Sequence, residues 1–245
     1  MEQIPQIIHP SWHSHLQPLF DDNRMKVLKY EILPKVPFYP EASNIFRVFS
    51  MPLDKIRVVI IGQDPYPNGE AVGLAFAIDR FKDVPYSLKK IKEEVYTSRA
   101  EQHDTIYYSK WNTLDHWHEQ GVFLLNAALT TEQKKTGAHL KYWEFFTQAV
   151  VRIISTKVNP CPIWLFWGAK ARAYSSFVNL YRRYIPNTNQ EVRVKCNFGL
   201  EAPHPAAEAY GNGGFMGCNH FIHVNTILKG RDYYSILNKD NVIYW

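Results

Sequence analysis

The sequence predicts an α/β fold: a single domain whose central, mostly parallel, four-stranded sheet carries helices on both faces. Three observations point there. Strand-like apolar runs alternate with helix-like stretches along the whole chain. Those runs are near-continuous rather than alternating, the pattern of strands buried on both faces. The 245 residues hold no Gly/Ser-rich or Pro-rich linker, so one domain spanning 1–245 is expected.

Trp12, Leu16, Phe20, Val27, Leu28 and Ile32 recur at helix-like spacings. Pro34, Pro37 and Pro40 then impose a loop. A short helix is predicted over 42–49, with Ile45, Phe46 and Phe49 on one face. The run Arg57-Val58-Val59-Ile60-Ile61 reads as a first strand that stops at Gly62. Gln63-Asp64-Pro65-Tyr66-Pro67 follows, a loop stiffened by two prolines that also restrict Asp64 and Tyr66. A loop that rigid can hold a reactive carboxylate in one place. Gly73 to Ile78 is a short apolar stretch beside it. Pro85 and Ser87 read as the start and N-cap of a helix over Leu88 to Tyr96. A further helix is predicted over Thr113 to Glu119, ending at Gly121. A second strand, Val122 to Leu125, stops at Asn126. Leu140 to Ile154 is amphipathic, with Trp143, Phe146, Val150 and Ile154 roughly in line. Cys161 to Trp167 contains a third strand that stops at Gly168, and Ala169 to Leu180 reads as helix. A weaker fourth strand is expected over Glu191 to Cys196, ahead of Ala202-Pro203-His204-Pro205. A last helix is predicted over His220 to Leu228.

Composition narrows the function. The net charge of +5 and an aromatic fraction of 15% favour a polyanionic partner and stacking surfaces. Cys161, Cys196 and Cys218 form no C-x-x-C pair, so free thiols in a reducing compartment are expected, with no disulfide and no zinc site. Met1 to His15 shows no secretory pattern, and no apolar stretch suffices to span a bilayer. A soluble, cytoplasmic protein is the expectation.

In parallel sheets, ligands bind beyond the carboxyl ends of the strands. Gln63, Asp64, Asn126, Gly168 and His204 all fall there and are expected to converge, with Tyr66 and Phe76 nearby. There is no serine elbow, P-loop or dinucleotide fingerprint, and no second carboxylate for two-acid glycoside chemistry. A carboxamide beside a flat aromatic suits a planar heterocycle: the ring stacks and the amide reads an edge. His116 and His118 are expected on a solvated surface, and His139 at the surface or against a nucleic acid. Trp143, Trp164 and Trp167 are expected in the core. Lys89, Lys90 and Lys92 read as the wet face of a helix.

The motifs Gly62-Gln63-Asp64-Pro65-Tyr66, Gly73-Leu74 with Phe76, Pro85 with Ser87-Leu88, Leu124-Leu125-Asn126-Ala127, Trp167-Gly168, His204-Pro205 and Gly217-Cys218-x-His220-Phe221 occur in an order that resembles the family 1 uracil-DNA glycosylases. The resemblance covers residues 12–235. It implies a monofunctional enzyme of base-excision repair that releases uracil from DNA by flipping the base out, without metal or cofactor. It implies that Asp64 activates water and that His204 donates to uracil O2. The Gln63 backbone would support the same oxygen. Asn126 would read N3–H and O4, Phe76 would stack, and Tyr66 would exclude a C5 methyl. Pro85, Ser87, Gly168, Ala169, Pro205 and Tyr210 would meet DNA. The expected partners are single- or double-stranded DNA containing uracil and a protein inhibitor, with the chain itself a monomer.

The sequence departs from the family in three places. Position 67 is proline where many members have histidine, and Ala169 replaces a common serine. After His204 the chain reads Pro205-Ala206-Ala207-Glu208-Ala209, so Glu208 falls where a wedge leucine is usual. A carboxylate there would face phosphates. Tyr210, Phe215 or Met216 would then take the wedge's place, or the chain would lean toward single strands. A catalytically weak or silent DNA-binding or replication-scaffold protein of the same fold is the alternative reading.

Overall fold

The computed structural model describes residues 2–98, 111–156, 161–178, 181–184, 191–194, 197–211, 213–231 and 241–245. Eight strands occur among them: β1 (Phe38–Tyr39), β2 (Val58–Gly62), β3 (Val122–Asn126), β4 (Thr131–Glu132), β5 (Ile163–Trp167), β6 (Tyr181–Tyr184), β7 (Glu191–Val194) and β8 (Phe198–Ala202). The helices are α1 (His13–Phe20), α2 (Asn23–Val27), α3 (Tyr86–Ser98), α4 (Asp115–Glu119), α5 (Leu140–Ser155), α6 (Ala169–Arg172) and α7 (His220–Arg231).

The central sheet has the order β3-β2-β5-β8, and every neighbouring pair is parallel. Every residue of β2, β3 and β5 is buried, as their unbroken apolar runs predict. The fourth strand is not the expected one. Glu191–Val194 instead pairs antiparallel with Tyr181–Tyr184, and Phe198–Ala202 takes the sheet's edge. Cys196 lies outside the described residues. The sequence hides β8 because Gly199 and Glu201 break its apolar pattern. An edge strand with one wet side tolerates both.

The two-residue period sorts side chains onto two faces. Phe123 faces the amino-terminal helices, packing on Trp12 and Phe49 with ring centroids 5.5 and 5.6 Å away. The Trp12 indole donates to the Met51 carbonyl at 2.8 Å, which satisfies its polar atom inside the core. Trp167 has the opposite parity and meets Phe215 and Phe221 at 5.1 and 6.0 Å. Trp143, Trp164 and Trp167 are all buried, as expected.

Several helix boundaries shift. The segment 42–49 forms two 3-10 turns, Ala42–Asn44 and Arg47–Ser50, because Phe46 leaves helical geometry between them. α3 begins at Tyr86, so Ser87 lies inside it and is no N-cap. α4 covers only Asp115–Glu119, and Gly121 follows at φ +92°. The stretch after Gly168 is one turn of α-helix followed by a 3-10 turn, Ala173–Phe177; Leu180 lies outside the described residues. α7 runs to Arg231 rather than Leu228.

Cys161 is disulfide-bonded whereas Cys218 is a free thiol, so the expectation of free thiols alone fails. Sequence spacing cannot reveal such a bond, which depends on distances set by the fold. Among the described residues, no helix is long and apolar enough to cross a membrane.

Trp12 is fully buried and ties the amino-terminal layer to the sheet. Trp12→Ala should cost about 3–5 kcal/mol in urea unfolding. A loss under about 1 kcal/mol would mean that the layer does not depend on this ring.

Candidate active site

The site grows from where β2 and β3 stop together. Gly62 pairs with Asn126 in register, and the turns beyond remain hydrogen-bonded: Ala127 N–H donates to the Gly62 carbonyl at 2.9 Å and Ala128 N–H to the Gln63 carbonyl at 3.0 Å. A Cβ at Gly62 would collide with Asn126 Oδ1 and reach Ala75 Cβ at 3.0 Å, so glycine is required for close approach. Asn126 is buried, 6% exposed, yet among the described residues its carboxamide has no hydrogen-bond partner. Its amide atoms are not among the buried, unpartnered ones, so they still reach solvent and can pair with a ligand edge.

Phe76 closes this corner. Ala75 N–H donates to the Leu124 carbonyl at 2.9 Å, hanging the Phe76 loop on β3. Phe76 has φ +63°, a left-handed conformation that a bulky residue adopts only under constraint. Its ring lies 5.5 Å from Trp167 and 5.8 Å from His204, centroid to centroid.

His204 arrives from the other side of the sheet's end. Gly168, at φ +86°, donates its N–H to the Ala202 carbonyl at 2.8 Å, and a Cβ there would press on His204 Cβ at 2.9 Å. The Ala206 N–H donates to His204 Nδ1 at 3.1 Å. That bond makes Nδ1 the acceptor and leaves the proton on Nε2. Burial lowers the imidazole pKa below its usual value, so the ring is neutral at physiological pH. The site therefore holds a fixed, uncharged N–H donor.

Asp64 is held by three donors. Gln63 Nε2 donates to Oδ1 at 3.2 Å and the Gly137 N–H donates to Oδ2, while the single Thr131 hydroxyl proton is shared between Oδ2 at 3.1 Å and the Lys135 carbonyl at 2.8 Å. Burial raises the carboxyl pKa, and these bonds oppose the rise without cancelling it. The outcome is an oriented, partly desolvated carboxylate with a basicity above the ordinary aspartate.

Tyr66 is fixed by a 2.7 Å hydrogen bond between its hydroxyl and Ser87 Oγ, and burial pushes its phenol pKa up. Ser87 is itself buried, so its hydroxyl serves Tyr66 instead of a helix cap. The segment from His204 to Phe215 differs from expectation at Glu208. Its Oε1 accepts from the N–H groups of Gly214, Phe215 and Met216 at 3.0, 2.8 and 3.0 Å. The carboxylate is thus turned into its own loop rather than outward to phosphates. Those N–H donors lower its pKa. Of the three expected wedge candidates, Phe215 is buried and Met216 half-buried, while Tyr210 is 79% exposed. Asn212 lies outside the described residues.

Other expectations are corrected. His139 is buried and its Nδ1 pairs with Thr130 Oγ1 at 3.0 Å, so it belongs to the core. His118 is half-buried, bonds Ser50 Oγ at 3.1 Å and is held down to about 4 by burial, hence is no solvated surface group. Lys90 pairs with Glu93 at 2.6 Å and Lys92 donates to Asn112 at 2.6 Å. Lys89, Ala169, Lys170 and Arg172 are exposed, and Pro85 is half-buried. Pro205 is buried.

Sequence reasoning missed Thr131, Gly137 and Ala206. It also missed Glu94, a fully buried carboxylate on α3 that accepts from Gly217 N–H at 2.6 Å and Asn219 N–H at 2.8 Å. No short motif marks any of them; the nearest signal is that Thr131 and Gly137 flank the turn after Asn126.

Comparison with known proteins agrees with this architecture. The family model described as Uracil DNA glycosylase superfamily matches residues 50–229. A Uracil-DNA glycosylase of Porphyromonas gingivalis strain W83 is 34% identical over 228 residues, 91% of this chain and 94% of that protein. One from Buchnera aphidicola subsp. Acyrthosiphon pisum is 37% identical over 210 residues, 84% of this chain and 86% of that one. The crystal structure of mimivirus uracil-DNA glycosylase is 23% identical and shares the fold, with a TM-score of 0.73 over 92% of this chain and 85% of that chain. Taken with the strand-end motifs, these matches show that the chain belongs to the uracil DNA glycosylase superfamily.

Proposed function

We propose that this chain is a single-domain hydrolase of base-excision repair that cleaves the N-glycosidic bond of deoxyuridine in DNA, releasing uracil and leaving an abasic site. The observation that carries this reading is the Asn126 carboxamide, without a partner among the described residues, set at the strand ends with Phe76 and the neutral His204 donor. Family membership and curated relatives named Uracil-DNA glycosylase support it. A silent scaffold has no use for a desolvated aspartate or an oriented imidazole.

In this reading the target nucleotide leaves the stack, because the pocket cannot reach a base inside a duplex. Uracil stacks on Phe76. Asn126 accepts from N3–H and donates to O4, an edge on which cytosine has the opposite polarity, so the wrong base leaves buried groups unpaired. Tyr66, braced by Ser87, occupies the space beside C5 and excludes thymine. The bond from C1′ to N1 breaks with its electron pair going to the base. His204 Nε2–H and the Gln63 backbone N–H stabilise the charge that gathers on O2. Asp64 stabilises the cationic sugar and orients the water whose oxygen bonds C1′, accepting its proton. Pro85 and the exposed Ala169 form the rim that meets the strand, and the buried Gly168 and Pro205 support it from beneath. Tyr210 fills the gap left by the flipped base. A mimivirus UNG variant has been solved in complex with UGI, which supports a protein inhibitor as a second kind of partner.

Substrate choice, pH dependence and single substitutions test the proposal. Oligonucleotides carrying one uracil should yield alkali-labile sites, those carrying a thymine in its place should not, and Asp64→Asn should lower kcat about 10²–10⁴-fold. Unchanged turnover in that variant would remove Asp64 from the chemistry. The acid limb of kcat/KM should lie above 3.8, the ordinary aspartate value, because activity is lost as pH falls through the raised pKa. Thr131→Val deletes a donor that lowers this pKa, so its limb should move further up; a limb that moves down contradicts the assignment. Tyr210→Ala should lose release from duplex while keeping release from single strands. Equal losses on both would show that the ring does not act as a plug.

A further inference from the structure

We propose a second binding site in this chain, remote from the uracil pocket, for one small uncharged aromatic molecule between benzene and indole in size. The site is a cavity of about 160 Å³ between the amino-terminal helices and α5, walled by Phe20, Met25, Leu28, Leu33, Phe46 and Trp143. Its aromatic walls pack on one another: Phe46 lies 5.1 Å from Phe20 and 5.9 Å from Trp143, ring to ring. An apolar cavity of about 150 Å³ takes up benzene, so a volume of this order matches a single ring system.

The lining also sets polarity. The Trp143 indole N–H is spent on Thr130 Oγ1 at 2.7 Å, outside the cavity, and so offers a ligand no hydrogen bond. Of the polar residues at its mouth, Glu2 and Lys29 are paired with each other at 2.9 Å, and Gln3 and Lys26 are exposed to solvent. A charged or strongly polar guest would be desolvated there without compensation. A flat apolar ring stacks on aromatic walls and leaves no polar group unpaired.

The cavity is also connected to the catalytic end of the fold. Trp143 holds Thr130, and the next residue, Thr131, donates to Asp64. A guest would therefore rest on the ring that anchors the Asp64 brace.

Benzene and toluene are the probes, added to the full chain. Thermal unfolding should shift upward by about 3 °C at roughly tenfold Kd. In a ¹⁵N–¹H spectrum the Trp143 indole resonance, assigned with Trp143→Phe, should move more than those of the other tryptophans. Leu33→Phe fills the half-buried wall and should abolish both effects while uracil release persists. Leu33→Met keeps the volume and should retain them. No thermal shift in the unaltered chain, a shift that survives Leu33→Phe, or a stationary Trp143 resonance would each overturn the proposal. Uracil release is scored in the same samples, so failure here is separable from failure of the glycosylase reading.

Discussion

The in-register parallel pairing of β2 with β3 is the constraint on which the site depends. It sets Gly62 beside Asn126 at the last rung of both strands. Because the period of a strand is two, the register also decides which face every side chain takes. A slip of one residue would send Asn126 to the face where Phe123 packs on Trp12 and would detach the Phe76 loop from Leu124. The buried apolar rows of β2, β3 and β5 make such a slip very costly. A core that contains no catalytic group thus fixes the catalytic geometry.

Opposed electrostatic effects govern the two titrating residues. Burial raises Asp64 and depresses His204, and in each case it disfavours the charged form. Asp64 has three donors to offset part of that penalty, whereas the hydrogen bond from Ala206 fixes only the tautomer of His204. The result is a carboxyl that ionises reluctantly and an imidazole donor that remains neutral. That pairing suits a leaving group which departs as an anion and needs charge stabilisation more than a full proton.

Much of this was legible in the sequence, for identifiable reasons. β2, β3 and β5 are unbroken apolar runs, and each stops at a residue that borders the candidate site. Asp64, Asn126, Phe76 and His204 follow from those stops and from the motif order. The supports were not legible. Thr131 and Gly137 reach Asp64 across 67 and 73 residues of chain, and no local pattern encodes a contact at that range. β8 was missed because its side chains are those of an edge. His139 and His118 were misread as surface groups because a histidine carries no periodicity that distinguishes a wet face from a dry one.

Glu208 carries a lesson for engineering. Set against the leucine usual in the family, it looks like a defect, an acid where a hydrocarbon is expected. In the folded chain it is a staple that gathers three consecutive amides and gives shape to a glycine-rich bend. Reverting position 208 to the familiar leucine would undo that staple. Consensus design would here remove the component that lets a divergent loop remain a loop.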